Sequence, residues 1–276
     1  MSDHFQQLLL RAVQKSPPPA ASESDDVSSK LLAAMPVEYV RLSRGGMSRE
    51  ASESVPERIE GIIVPHSIVS VPGKLVKVHL LEADIRYMSG LFNNSECLYY
   101  LNKLSENKNA SKWDKLGKGR YVAQWSDPPG SKYVFSDVEY TAGQFPHFVL
   151  KIKNIIKEIL KPVYGHDSVD FNYCVCNCYQ NGLAGVNWHT DAEPHLKPNC
   201  PIACVSFGSE RVFSLARIRY GNTAEVKPDL NIRLETGSLV VMAGECQKNY
   251  LHAISKESSV DTPRFSLTFR VNYIDR

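Results

Sequence analysis

The chain has 276 residues, 43% of them hydrophobic, and a formal net charge of +2. This supports one large domain with an added segment, or two small ones, and the charge balance by itself argues only weakly for an anionic partner. No apolar run approaches the roughly 18–20 residues of a membrane span, and the N-terminus lacks an apolar signal core, so a soluble intracellular protein is expected.

In chain order, residues 1–60 read as a disordered tail, because Pro17-Pro18-Pro19, many serines and scattered charges leave little to bury. Its start, from Phe5 to Arg11, reads as a frayed tail, with a short amphipathic helix that docks on a partner as the alternative. A folded unit is expected over 61–276. Residues 62–80 carry alternating, β-branched patterns broken by Pro72-Gly73. Asp84 is placed to cap a helix running to about Leu104. A clearer helix covers 146–161: Phe148, Val149, Ile152, Ile155, Ile156, Ile159 and Leu160 form one apolar stripe, and Pro146 sits where a first helical turn tolerates it.

From Val169 onward the pattern changes to short strands between glycines. Candidates are 170–179, 185–191, 201–207, 211–218, 230–234, 238–242 and 264–273. The expected fold class is mainly β with flanking helices: a double-stranded β-helix, or jelly roll, buttressed by two N-terminal helices. The seven cysteines include Cys174, Cys176 and Cys178, which share one face of a strand and cannot easily pair with each other. They read as reduced, buried residues; a zinc site with Cys200, Cys204 or His195 is the alternative.

Three segments carry chemistry. His189 and Asp191 are two apart on a predicted strand, so both side chains point to one face, and His252 comes from elsewhere. Two imidazoles and one carboxylate hold a redox-active iron on one side and leave the other side open for dioxygen and a co-substrate. In the segment 264–270, Arg264, Ser266, Thr268 and Arg270 share one face, and Phe265, Leu267 and Phe269 share the other. With the apolar face on the core, two guanidinium groups line the interior, where a bound dicarboxylate would offset their burial. Along 173–179, Asn177 and Tyr179 lie opposite the cysteines. If the cysteines pack against the helices, Asn177 and Tyr179 reach the same cavity.

These motifs, with Trp188-His189-x-Asp191-x-Glu193, Pro201-Ile202-Ala203, Ser206-Phe207-Gly208, Gly237-Ser238-Leu239 and the final Leu267-Thr268-Phe269-Arg270, resemble the AlkB family of iron(II)- and 2-oxoglutarate-dependent dioxygenases over about residues 115–273. Within that family the chain looks most like the eukaryotic repair members. The resemblance implies Fe(2+) held by His189, Asp191 and His252, with 2-oxoglutarate and O2 as co-substrates. It implies Arg264 on the distal carboxylate of 2-oxoglutarate, Arg270 near its metal end, and Asn177, Tyr179, Ser266 and Thr268 in support. Family members often carry Asn where Ser266 stands, and many place a second acidic residue where Ala192 stands.

A substrate side is also expected. Lys103, Lys108, Lys112, Lys115, Lys118 and Arg120 face only Glu106 and Asp114 in the same stretch, a local surplus suited to phosphates. Tyr121, Trp125, Tyr133 and Phe135 follow, so residues 115–140 read as an aromatic-bearing lid that can stack on an extruded base. By resemblance, Arg120, Tyr133 and Phe135 contact the base. Glu193 can attract a base made cationic by methylation, or is a solvated loop residue. The implied activity is oxidative demethylation of 1-methyladenine- or 3-methylcytosine-type bases in DNA or RNA, by a monomer of the nucleus or cytoplasm. An oxygenase of protein or small molecules, and a catalytically silent nucleic-acid reader, are the alternatives.

Overall fold

In the computed structural model, residues 39–40, 62–63, 72–135, 138–218 and 226–273 are described. The tail expected over 1–60, with the alternative of a short helix at its start, lies outside these residues except for Tyr39–Val40. That pair forms a two-residue strand, β1, where no order was expected.

The first half contains β2 (Ile62–Ile63), β3 (Val76–Leu80), β4 (Ala83–Met88), helix α1 (Asn94–Ala110), β5 (Asp114–Leu116), β6 (Arg120–Ser126), β7 (Lys132–Phe135), β8 (Val138–Thr141), β9 (Gly143–Gln144) and helix α2 (His147–Tyr164). The second half contains β10 (Tyr173–Tyr179), β11 (Val186–His189), β12 (Ile202–Gly208), β13 (Arg211–Arg217), β14 (Leu230–Leu234), β15 (Leu239–Gly244), the short helix α3 (Cys246–Asn249), β16 (Tyr250–Ile254) and β17 (Arg264–Arg270).

The helix expected from Asp84 is a strand instead. Ala83, Ile85 and Tyr87 alternate into the core, and β4 pairs with β3 on one side and β15 on the other, so the period is two rather than 3.6. Asp84 is held there by Arg86 and by the Tyr164 hydroxyl, which donates to Oδ2 at 3.0 Å. The helix begins ten residues later at a capping box. Asn93 Oδ1 accepts the Glu96 N–H at 3.0 Å, and Glu96 Oε2 accepts the Asn93 N–H at 2.9 Å. Helix α2 matches its expected stripe: Val149, Ile152, Ile156, Ile159 and Leu160 are buried, and truncating one of the buried isoleucines to alanine would cost about 2–5 kcal/mol.

Among the described residues, the larger sheet runs β1-β3-β4-β15-β12-β17-β10-β6-β5, with β9 beside β6, and the smaller runs β11-β16-β13-β14-β2. Most neighbours are antiparallel. The two sheets face each other: Ile85, Tyr87, Ile202 and Val240 of the larger pack with Phe213, Leu215, Ile232 and Tyr250 of the smaller. Both long helices cover the outer face of the larger sheet, where Leu101, Leu104, Ile152 and Ile156 meet Val205, Phe207, Phe265, Leu267 and Phe269. Cys174, Cys176 and Cys178 are buried in that helix-facing layer, and all seven cysteines are free thiols. The alternative zinc site has no counterpart: among the described residues the clustered metal-ligand set is a different one, given below.

Residues 114–116 and 120–126 are strands of the larger sheet, so only the later part of the stretch expected as a lid, 115–140, stands apart from that sheet. The separate piece is the hairpin of β7 and β8, with Tyr133 opposite Tyr140 and Phe135 opposite Val138. Trp125, expected in the lid, is buried in the helix-facing core against Trp113. It sits on the outward face of β6, one residue out of phase with the cavity. No helix among the described residues is long and apolar enough to cross a membrane.

Candidate metal and co-substrate site

Antiparallel register arranges the inner face of the larger sheet as a grid. Across β6, β10, β17 and β12, one row is Arg120, Tyr179, Arg264 and Gly208, and the next is Val122, Asn177, Ser266 and Ser206. A third is Gln124, Val175, Thr268 and Cys204, and a fourth is Ser126, Tyr173 and Arg270. Alternation sends the intervening phenylalanines and cysteines to the helices. This face and the smaller sheet enclose a cavity of about 820 Å³, measured with its open mouth. Arg120, Asn177, Tyr179, His189, Asp191, His252, Arg264, Ser266, Thr268 and Arg270 all line it.

The two histidines come from adjacent strands of the smaller sheet. β11 and β16 pair so that His189 stands directly opposite His252, with ring centroids 4.2 Å apart. Asp191 follows two residues after His189, just past the end of β11. Its Oδ1 lies 3.7 Å from His189 Nε2 and its Oδ2 lies 3.9 Å from His252 Nε2. One ligand atom from each of the three lies within 4.8 Å of the others. His189 Nδ1 contacts the Asn187 carbonyl at 2.9 Å; a carbonyl only accepts, so Nδ1 carries the proton and Nε2 is free to ligate. Burial pushes the His252 imidazole down to about 4, and His189 and Arg270 push the same way against Asp191. It is therefore neutral near pH 7, as a ligand must be. Burial raises the Asp191 carboxyl, but Arg270, His252 and His189 outweigh it and hold it below the usual carboxylate range. Two imidazoles and one carboxylate on one side of an open cavity fit Fe(II) in a facial arrangement.

The arginines differ in their partners. Arg264 is 1% exposed, lies over the Tyr179 ring at 5.3 Å and donates from Nη2 to Ser206 Oγ at 2.9 Å. Its Nε and Nη1 are buried with no hydrogen-bond partner among the described residues. A buried guanidinium with two open donors fits a carboxylate, the group that 2-oxoglutarate would bring. Arg270 instead bridges two acids, with Nη2 at 2.8 Å from Asp191 Oδ1 and Nη1 at 3.1 Å from Glu193 Oε2. Glu193 is thus an ion-pair partner of the cavity wall rather than a solvated loop residue.

Sequence reasoning missed three neighbours. Arg211 is fully buried and donates to the carbonyls of Asn181, Ala184 and Ser255, pinning the loop that leads into β11. Glycine is needed in that loop, since a Cβ on Gly182 would lie 1.6 Å from the Glu257 carbonyl oxygen. Gln124 and Tyr140 line the metal cavity and also a second, polar notch beside α1 and β9. The alternation of 120–126 could have exposed Gln124, because it shares a face with Arg120. Arg211 had no local signal. Of the basic run, Lys103 pairs with Glu106 and Lys108 lies over the Tyr121 ring at 4.1 Å, whereas Arg120 reaches the cavity. Tyr133 and Phe135 lie on β7.

Residues 86–270 match the 2OG-Fe(II) oxygenase superfamily. The chain is 37% identical over 167 residues to the alpha-ketoglutarate-dependent dioxygenase alkB homolog 3 of Bos taurus, covering 56% of this chain and 52% of that protein. It is 27% identical over 219 residues to the DNA oxidative demethylase ALKBH2 of Mus musculus, covering 77% of this chain and 81% of that protein. It thus spans about half the length of the alkB homolog 3 protein it matches. The solved structure of OsALKBH1 shares the fold, with a TM-score of 0.50 at 12% identity, over 70% of this chain and 100% of that one.

Proposed function

Because the chain belongs to the 2OG-Fe(II) oxygenase superfamily, we propose that its two facing sheets are a double-stranded β-helix and that it oxidatively demethylates N-alkylated bases in nucleic acid. The observation that carries this is one cavity holding both a three-ligand metal cluster and the open donors of Arg264. The substrate class is supported by the relatives named alkB homolog 3 and DNA oxidative demethylase ALKBH2.

In this reading His189, Asp191 and His252 hold Fe(II), and Arg264 with Ser206 receives the far carboxylate of 2-oxoglutarate. Asn177, Tyr179, Ser266 and Thr268 form the polar wall beside it, and Arg270 stands at the metal end. When bound, iron with 2-oxoglutarate and O2 supplies the oxidant for an N-methyl carbon; succinate, CO2 and formaldehyde leave. The protein's part is to orient these groups and exclude water. The buried apolar wall of Val240, Met242, Phe213 and Ile254 serves the second task. Arg120 meets the substrate at the mouth, with Tyr133 and Phe135 on the hairpin stacking on the base. Glu193 bears on the substrate through the charge it shares with Arg270. The same reading takes residues 61–276 as the catalytic unit of a monomer in the nucleus or cytoplasm, with the tail over 1–60 free to dock on a partner.

The test is turnover with Fe(II) and 2-oxoglutarate on oligonucleotides carrying 1-methyladenine, 3-methylcytosine or N6-methyladenine, each as DNA and RNA. Formaldehyde and succinate should form together on at least one ring-methylated base. Succinate formed only with protein or small-molecule substrates would replace the substrate class. No succinate with any substrate would leave a silent reader.

A further inference from the structure

We propose that Gln124 is a specificity-determining residue of the substrate pocket and favours a base bearing a ring carbonyl, an N3-alkylated pyrimidine, over N1-alkylated adenine. The inference rests on the dealkylase reading above and names what that site selects.

Gln124 sits on the inner face of β6, opposite Val175 and in the row of Thr268, one row from Arg270. It lines the metal cavity with Tyr140, and the same two side chains line the polar notch beyond, so together they divide the two spaces. Its carboxamide is oriented. The Tyr173 hydroxyl donates to Gln124 Oε1, and Tyr173 is 1% exposed in the next row. Burial pushes that phenol well above its ordinary range despite the opposing pull of Arg270, so it stays protonated and remains the donor. With the oxygen turned to Tyr173, the planar amide turns its nitrogen, a pure donor, the other way.

That arrangement discriminates. A glutamine reads adenine with both ends of the amide, the oxygen accepting from the exocyclic amine and the nitrogen donating to a ring nitrogen. Here the accepting half is engaged inside the protein. What remains is a donor that needs an acceptor. The carbonyl beside the alkylated N3 of a cytosine supplies one next to the reacting methyl, whereas the positions flanking the alkylated N1 of adenine are a C–H and the exocyclic amine, neither of them an acceptor.

The experiment compares kcat/KM on 3-methylcytosine and 1-methyladenine in otherwise identical oligonucleotides for the full chain and for Q124L, Q124E and Y173F. Q124L should lower the pyrimidine-to-adenine ratio by about tenfold, the size of one base-reading contact. Q124E, of the same shape but an acceptor only, should lower it further, because a carboxylate repels the cytosine carbonyl. Y173F, which frees the amide to flip, should fall between wild type and Q124L. Substrate-independent conversion of 2-oxoglutarate to succinate reports that each variant is folded and loaded. A wild-type ratio in both Q124L and Q124E, with both bases turned over, overturns the role of Gln124 and leaves the dealkylase reading standing. Failure of wild type on either base, with no formaldehyde at all, removes that reading and this inference together.

Discussion

Arg270 Nη2 stands 2.8 Å from Asp191 Oδ1, so the carboxylate of the metal cluster is already in an ion pair, while Glu193 holds the other guanidinium nitrogen at 3.1 Å. Asp191 is thereby kept ionised in a buried site, and Glu193 keeps Arg270 anchored. Replacing Asp191 with Ala should weaken Mn(II) or anaerobic Fe(II) binding by about 100-fold or more, above the loss typical of an outer-shell change. Glu193→Gln should cost about 10-fold through Arg270. Calorimetric titration checks both, and wild-type affinity in Asp191→Ala would reject the ligand assignment.

Arg264 and Arg211 are both fully buried, yet their substitutions should act in opposite directions. Arg264 has two open donors, so Arg264→Met should leave the ligand-free protein as stable as wild type or raise its Tm. It should also abolish the thermal shift produced by 2-oxoglutarate. Arg264→Lys loses the fork geometry and should raise the KM for 2-oxoglutarate by about 10-fold or more.

Arg211 is bonded to the carbonyls of Asn181, Ala184 and Ser255. Arg211→Met strands these acceptors and should destabilise the protein by about 3 kcal/mol in urea unfolding. The loop into β11 loosens with it, so metal affinity should fall as well.

His252 is pushed down to about 4 by burial first, with His189 and Arg270 adding to it. Its folded value is below the ordinary 6.5 of the unfolded chain, so the stability it contributes is fully present above about pH 6.5. It is lost as pH falls from there towards 4, because the unfolded state takes up the proton first. In the metal-free protein, His252→Leu should flatten the fall in urea midpoint between these limits. An unchanged slope would place the titration elsewhere.

Much of the site was legible because strand geometry has a period of two. The spacing of His189 and Asp191, and the four polar residues from Arg264 to Arg270, each give one face, and the structure brings both faces to one cavity. The same rule hid Trp125 and revealed Gln124 only once the register of β6 was known. The boundary near Asp84 failed because an acidic residue before apolar ones reads as a helix cap when it also fits a strand paired on both sides. The true start, Asn93 with Glu96, carried a capping box that can be read locally. Strand β16 and Arg211 were not legible. Their burial depends on partners far away in sequence, namely β11 for His252 and the 181–184 loop for the guanidinium.

The central claim is that one cavity binds the metal and a dicarboxylate together. Titration of 2-oxoglutarate into the protein under anaerobic conditions, with and without Fe(II), tests it most directly. The account predicts strong binding that requires the metal and disappears separately in Asp191→Ala and in Arg264→Met. Equal binding with and without metal, or retention in Arg264→Met, would contradict it.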